Sequence, residues 1–132
     1  MVEIYTDASI VAEKVGIAIV IVNDFEVMYT FSRDITNHVR KPNSKHGEAY
    51  AVVLALGIAK ELCLTEVTVN YDSSDIEFLR KSEPPIDGDL VELYKSYRLV
   101  MSYFETIKFK KIKGHKGCPF NSMVDSLARC CL

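Results

Sequence analysis

The stretch from residue 2 to residue 31, VEIYTDASIVAEKVGIAIVIVNDFEVMYTF, contains three segments with the patterns of β-strands. Residues 2–7 and 26–31 alternate apolar and polar side chains, which is typical of strands with one buried face. Residues 15–22 form a nearly unbroken run of β-branched and small residues, which favours a strand buried on both faces. The Asn23-Asp24 pair is a turn signal. These segments predict three consecutive antiparallel strands.

These three strands form a meander, and the residues that follow it predict helices that alternate with two more strands. Apolar side chains recur at helical spacing after Glu48, with Ser44 as the predicted N-cap, and again over residues 90–104. A short helix is predicted to follow Ser73 or Ser74. The last helix is predicted to begin at Pro119 or Asn121.

Residues 66–71 and 107–112 have the composition of the fourth and fifth strands. Connections that contain helices return such strands parallel to the first strand of the sheet. The predicted fold is therefore a single α/β domain over residues 1–132, with a mixed five-stranded sheet in the order β-β-β-α-β-α-α-β-α, flanked by helices.

The composition is that of a soluble globular protein. Its 132 residues are 48% hydrophobic and 26% charged, and no apolar run reaches the ~18 residues needed to span a bilayer. The four cysteines lack the Cys-x-x-Cys pairs of zinc sites, so we expect reduced thiols in a cytoplasmic monomer that has no membrane partner. The net charge of −2 alone disfavours nucleic-acid binding.

Four acidic residues fall near predicted strand ends and helix starts. Asp7 ends the first strand, Asp72 follows the fourth, Glu48 lies in the first turn of the first long helix, and Asp125 lies in the first turns of the last helix. Each alone has a structural explanation, as a turn former, a helix-dipole acid or a surface residue. Sites in α/β sheets gather at the carboxyl ends of parallel strands, where these four can converge. Converging carboxylates need a counter-charge, and oxygen ligands suit Mg²⁺ or Mn²⁺.

The order and spacing of these acids and their neighbours resemble the type 1 ribonuclease H family over nearly the whole chain. The matching residues are Ile4-Tyr5-Thr6-Asp7-Ala8-Ser9, then Glu48, Ala51, Ala55 and Leu56, then Tyr71-Asp72-Ser73, and finally Lys113-Gly114-His115-Lys116-Gly117 with Pro119, Asn121, Asp125, Leu127 and Ala128.

This resemblance implies a metal-dependent endonuclease that hydrolyses the RNA strand of RNA–DNA hybrids with two Mg²⁺ or Mn²⁺ ions. Asp7, Glu48, Asp72 and Asp125 match the family's metal-binding carboxylates, with Asp7 as the bridging ligand. His115 matches a histidine of a mobile loop that aids proton transfer or product release. Two divalent ions would turn the formal charge of −2 into about +2, which removes the electrostatic objection to nucleic acid.

The resemblance also implies substrate contacts from residues near these acids. Asparagines before the catalytic Glu read 2′-hydroxyls in many members, and lysines contact phosphates. Asn121 either orients the histidine loop or caps the last helix. The candidate substrate-binding residues are Ser9, Asn43, Ser44, Lys45, Ser73, Lys113, Lys116 and Asn121.

Two other hypotheses follow from departures from the family pattern. Ala8 stands where many members have Gly, and residues 10–14 replace a loop rich in Gly and Asn. The chain also has no Trp. One alternative is a ribonuclease H-like protein that binds hybrid but cuts it weakly or not at all. The other is a nuclease that prefers double-stranded RNA or structured DNA.

Overall fold

Five strands form one mixed sheet in the order β3-β2-β1-β4-β5 in a computed structural model that describes residues 1–40, 42–112 and 118–132. The predicted order of elements is confirmed, with the second of the predicted helices present as a 3₁₀ helix. The strands are β1 (Val2–Val11), β2 (Lys14–Asn23), β3 (Glu26–Asp34), β4 (Glu66–Tyr71) and β5 (Thr106–Lys111); the helices are α1 (Ser44–Glu61), α2 (Gly88–Met101) and α3 (Pro119–Cys130), with 3₁₀ helices at Thr36–His38 and Ser74–Arg80.

Strand β1 has two neighbours that end at different points. Its antiparallel pairing with β2 continues to Val11↔Lys14, whereas its parallel pairing with β4 stops at Tyr5↔Asn70. The prediction that Asp7 ends the first strand is therefore wrong, because β2 supplies backbone partners as far as Val11. Asp7 instead lies just past the last residue that β1 pairs with β4.

Both hairpins of the meander close through two-residue turns with left-handed backbone. Ala12 and Glu13 have φ values of 48° and 65°, and Asp24 and Phe25 have values of 49° and 66°. Two consecutive positive φ angles give the turn twist that matches antiparallel strands. The second turn lies one residue later than predicted, since Asn23 is still paired, with Glu26.

Strand β2 is buried on both faces, as predicted. Ile19 and Ile21 pack in the core beneath α1, and Ala18 and Val20 pack on the opposite face beneath α3. Fully burying an aliphatic side chain contributes roughly 1.5–3 kcal/mol, so this strand anchors both layers. No helix in the described ranges has the length and apolarity required to cross a membrane.

The N-terminus of α1 differs from the prediction by one residue. Asn43, not Ser44, is the N-cap: its backbone is extended, and its Oδ1 accepts a hydrogen bond from the N–H of Lys45 at 2.8 Å. Ser44 is the first helical residue, and its hydroxyl donates to Oδ2 of Asp75 at 3.0 Å. Glu48 consequently lies in the second turn of α1 and not in the first.

Two glycines allow the flanking helices to approach the sheet closely. A Cβ on Gly47 would lie 3.0 Å from Cβ of Ala8 and 3.0 Å from Cγ1 of Val15, so α1 rests directly on β1 and β2. A Cβ on Gly16 would overlap the carbonyl oxygen of Ala128, which places the end of α3 against β2. Helices α1 and α3, which carry candidate acids, can thus lie close to the sheet because the residue at each contact is a glycine.

Alanine substitutions at Gly47 and Gly57, both in α1, distinguish the effect of helix propensity on stability from the effect of packing. We expect Gly57→Ala to raise the free energy of unfolding by about 1 kcal/mol, because its Cβ meets no atom of the described residues within 4 Å. Gly47→Ala gains the same propensity but crowds β1, so its free energy of unfolding should fall below that of Gly57→Ala by about 1–3 kcal/mol. Urea denaturation measures both values.

The Ala8→Gly background provides the control for this comparison. Removing the Ala8 methyl relieves one of the two close contacts at Gly47, so the difference between the two alanine variants should shrink in that background. Equal effects of Gly47→Ala and Gly57→Ala in the wild-type background would contradict a close α1–β1 contact.

Candidate metal centre

Three carboxylates from three different elements meet at the edge of the sheet. Carboxylate oxygens of Asp7, Glu48 and Asp72 all lie within 4.8 Å of one another. Asp7 comes from β1, Glu48 from α1, and Asp72 follows the last residue of β4. Asp7 is 4% exposed and Glu48 is 6% exposed, whereas Asp72 is half-buried. Asp7 and Glu48 are therefore shielded from solvent, and solvent reaches the cluster at Asp72.

Burial and mutual repulsion disfavour the charged forms of these acids. Burial, the neighbouring charge of Asp72 and a hydrogen bond with Asp125 raise the pKa of Asp7 to about 7. Burial and the charges of Asp7 and Asp72 raise the pKa of Glu48 to about 10. The Glu48–Asp7 hydrogen bond raises the pKa of Glu48 and lowers that of Asp7, so Glu48 is the protonated partner. Both shifts favour the protonated, uncharged forms of these two carboxyl groups.

Asp125 joins this cluster through Asp7, from the opposite side of the sheet. Asp7 lies on the same face of β1 as Tyr5, and Tyr5 packs in the core beneath α3. The Asp7–Asp125 hydrogen bond favours the protonated form of Asp7. Oδ2 of Asp125 also lies 2.8 Å from a guanidinium nitrogen of Arg129, one turn along α3. The predicted convergence of four acids is thus seen as a group of three with Asp125 beside Asp7.

The donor set fits a hard divalent cation. All the ligand atoms that this group offers are carboxylate oxygens, which suit Mg²⁺ or Mn²⁺. The backbone N–H of Ala8 donates to Oδ1 of Asp7 at 2.9 Å, which fixes that carboxylate. A cation here would replace the protons that burial and repulsion now place on Asp7 and Glu48. Asp7, Glu48 and Asp72 would hold it, with Asp125 beside them.

Several predicted substrate-binding residues already have structural partners. Asn43 caps α1, and Ser44 donates to Asp75. Oγ of Ser73 accepts a hydrogen bond from the N–H of Asp75 at 3.1 Å and so caps the 3₁₀ helix. The contribution of these three residues to substrate binding remains a prediction.

The other predicted residues differ in exposure. Lys45 is exposed in the first turn of α1, and Ser9 is half-buried in β1. Asn121 is 1% exposed within the first turn of α3. The capping alternative for Asn121 is excluded, because α3 begins at Pro119 and its N-cap is Cys118. Three further predicted residues lie outside the described residues: Lys113, His115 and Lys116.

Three residues that shape this site were not among the sequence candidates. Gly47 sets the distance between α1 and β1, and only the packed structure exposes that role. Arg129 pairs with Asp125 at an i,i+4 spacing, a signal that the sequence does carry. His46 is 4% exposed two residues before Glu48, and its burial results from contacts distant in sequence.

Comparison with known proteins gives one family and a set of similar folds. The sequence profile described as reverse transcriptase-like matches residues 6–131. No curated protein matches the chain. The ribonuclease H1 of Halobacterium salinarum superposes with a TM-score of 0.82 at 17% identity, over 98% of this chain and 96% of that one.

Two further solved structures are similar over almost the same extent. The N-terminal ribonuclease H domain of a Mycobacterium tuberculosis protein has a TM-score of 0.83 at 20% identity, covering 98% of this chain and 91% of that one. LC11-RNase H1 in complex with an RNA/DNA hybrid has a TM-score of 0.80 at 20% identity, covering 98% and 94%. At such identities the likeness establishes the fold, and the profile match establishes the family. The chain belongs to the reverse transcriptase-like family and has the fold of ribonuclease H.

Proposed function

We propose that this protein is a metal-dependent endonuclease that hydrolyses the RNA strand of RNA–DNA hybrids, using two Mg²⁺ or Mn²⁺ ions. One observation carries the proposal: the carboxylates of the buried Asp7 and Glu48 and the half-buried Asp72 lie within 4.8 Å of one another at the end of the parallel strand pair. Burying repelling charges lowers the stability of a fold, and a metal site explains why they are held together. The ribonuclease H fold and a similar structure solved with a hybrid support the same class of substrate.

Each carboxylate has a separate task in this proposal. Asp7 is fixed by the Ala8 N–H and forms hydrogen bonds with both Glu48 and Asp125, so it would serve as the ligand shared by the two ions. Glu48 and Asp72 complete the oxygen set from either side. Bound in pairs, such ions supply an activated water and stabilise the leaving 3′ oxygen. Because the carboxylates are anchored to a strand, a helix and a strand end, the chain holds them in position before substrate arrives.

Positive charge near the cluster supports a polyanionic substrate. Lys111 is exposed at the end of β5 and is paired in register with Tyr71, the residue before Asp72. Lys108 and Lys110 are also exposed on β5, alternating with Ile107 and Phe109, which pack against the core. Lysines on this edge can contact phosphates.

Replacing a carboxylate of the cluster should abolish cleavage without unfolding the protein. For Asp7→Asn and Asp72→Asn we expect hybrid cleavage with Mg²⁺ or Mn²⁺ to fall by about 10³-fold or more, since each change removes a charged metal ligand. Asp24→Asn is the matched control, because Asp24 is exposed in a hairpin turn whose left-handed backbone Asn tolerates. Full activity of Asp7→Asn or Asp72→Asn would contradict the proposal.

The same assay should compare a hybrid with double-stranded RNA, single-stranded RNA and duplex DNA. We expect cleavage of the RNA strand of the hybrid to be fastest. Faster cleavage of another substrate would support the nuclease of different preference. Hybrid binding without any cleavage, in either metal, would support the binding-only alternative and overturn the proposed activity.

The stability of the metal-free protein should fall as the pH rises from about 5 to 8. The raised pKa of Asp7, about 7, means that the folded state holds a proton that the unfolded state has released, so the stabilisation from this proton is lost as the pH rises through 7. The loss should be of the order of 2–4 kcal/mol relative to Asp7→Asn, since one pKa unit corresponds to about 1.36 kcal/mol. Chemical denaturation with a chelator present measures it.

Added Mg²⁺ should reverse this loss in the wild-type protein and have little effect on Asp7→Asn. Comparing the two proteins cancels the titration of every shared group whose pKa does not depend on Asp7, and the difference that remains belongs to Asp7 together with Glu48. If the two metal-free proteins show the same slope of stability against pH, the repulsion inferred at Asp7 is absent.

A further inference from the structure

A second group of metal-binding side chains lies apart from the four acids. Ligand atoms of His46, Asp87 and Asp89 all lie within 4.8 Å of one another. Nε2 of His46 is 3.7 Å from Oδ2 of Asp87. His46 lies in the first turn of α1, Asp87 is the N-cap of α2, and Asp89 lies in the first turn of α2. The group therefore connects the N-termini of two helices that are far apart in sequence.

The histidine of this group lacks the partners that a buried imidazole needs. His46 is 4% exposed, yet neither Nδ1 nor Nε2 makes a hydrogen bond with any described residue. A cavity of about 290 Å³ adjoins it, lined also by His38, Arg40, Asp89 and Glu92. A buried polar group without a partner destabilises a fold. The ring nitrogens without hydrogen-bond partners and the cavity beside them point to a metal ion that the imidazole could bind.

We propose that His46, Asp87 and Asp89 form a second metal site that takes a transition-metal ion of the Zn²⁺ class. One imidazole nitrogen and two carboxylate oxygens suit Zn²⁺, Co²⁺ or Ni²⁺, whereas Mg²⁺ prefers oxygen ligands alone. Ligands about 2.0–2.1 Å from a tetrahedral ion are about 3.3–3.4 Å apart, and the 3.7 Å between Nε2 and Oδ2 is close to that separation. Water molecules in the cavity complete the coordination.

The two carboxylates can serve the metal without giving up their structural roles. Oδ1 of Asp87 accepts the N–H of Asp89 at 2.9 Å and caps α2, which leaves Oδ2, the atom that faces His46, for the ion. Oδ1 of Asp89 lies 3.3 Å from Nε of Arg40, whose side chain is 85% exposed. Such an exposed pair is weak, so an ion can displace Arg40 readily.

Charge in the immediate surroundings favours a cation on balance. Asp87 and Asp89 bring two negative charges, and Glu92 lines the same cavity. The opposing positive charges are the guanidinium of Arg40 and the N-termini of α1 and α2. Each helix N-terminus is equivalent to roughly half a charge at most. When Arg40 moves into solvent, the carboxylates dominate. A bound ion would then hold the start of α2 to the first turn of α1, two residues from Glu48.

Titration of Co²⁺ into the 132-residue chain tests this site, in a background of Asp7→Asn with Asp72→Asn and excess Mg²⁺. We expect one Co²⁺ per chain with the visible d–d absorption of a four- or five-coordinate ion. His46→Gln, Asp87→Asn and Asp89→Asn should each weaken Co²⁺ binding by about tenfold or more. Glu92→Gln is the matched control, because it removes a charge from the same cavity but leaves the three ligands, and it should weaken Co²⁺ binding far less than any of the three ligand variants.

Several results would overturn this second site. They are the absence of Co²⁺ binding, binding that survives in Asp87→Asn and Asp89→Asn, or thiolate-to-cobalt charge-transfer absorption, which indicates cysteine ligands. Asp87→Asn decides the question even if His46→Gln fails to fold, because Asn is as good an N-cap as Asp and preserves α2. Since Asp7 and Asp72 are already replaced, the outcome is independent of the proposed nuclease activity.

Discussion

Electrostatic repulsion among buried carboxylates is the constraint on which the site depends. Asp7 and Glu48 are almost fully buried, with the half-buried Asp72 in the same group, and the pKa values of Asp7 and Glu48 rise accordingly. Hydrophobic burial on both faces of β2 supplies the stability that tolerates this repulsion, since each fully buried aliphatic side chain contributes roughly 1.5–3 kcal/mol. Burial and repulsion thus favour the protonated forms of Asp7 and Glu48, and a bound cation would offset the same repulsion.

The sheet and its glycines determine where these acids meet. Parallel pairing of β1 with β4 stops at Tyr5↔Asn70, so Asp7 and Asp72 both lie past the end of that pairing. Gly47 lets α1 approach β1 closely enough for Glu48 to reach Asp7, and the methyl of Ala8 is the group that Gly47 accommodates. Ala8, a departure from the family pattern, is therefore compatible with the cluster because the helix opposite it has no side chain there.

Much of the fold could be predicted from local sequence patterns. The β-branched run of β2, the alternation in β1 and β3 and the helical spacing of α1 and α3 each express a periodicity that a single segment carries. The proximity of Asp7 and Asp72 followed from strand order, because both lie just past the end of the parallel pairing of β1 with β4. Asp125 lies outside the group of Asp7, Glu48 and Asp72 and interacts with it through Asp7.

The errors arose where tertiary contacts decided the outcome. The length of β1 depends on β2, its partner across the hairpin, and not on its own residues. Asn43 and Ser44 are both good N-cap residues. The hydroxyl of Ser44 donates a hydrogen bond to Asp75, and Asn43 is the residue that caps α1. The burial of His46 beside Asp87 joins segments with no common local pattern, so no reading of either segment could reveal it.

A crystal structure of the protein soaked with Mn²⁺, with anomalous scattering recorded at the manganese edge, tests the central claim most directly. The account predicts anomalous peaks in contact with carboxylate oxygens of Asp7, Glu48 and Asp72, with the Glu48–Asp7 hydrogen bond broken. A crystal soaked at high Mn²⁺ that shows no anomalous peak at these oxygens, and that keeps the Glu48–Asp7 hydrogen bond, would contradict it.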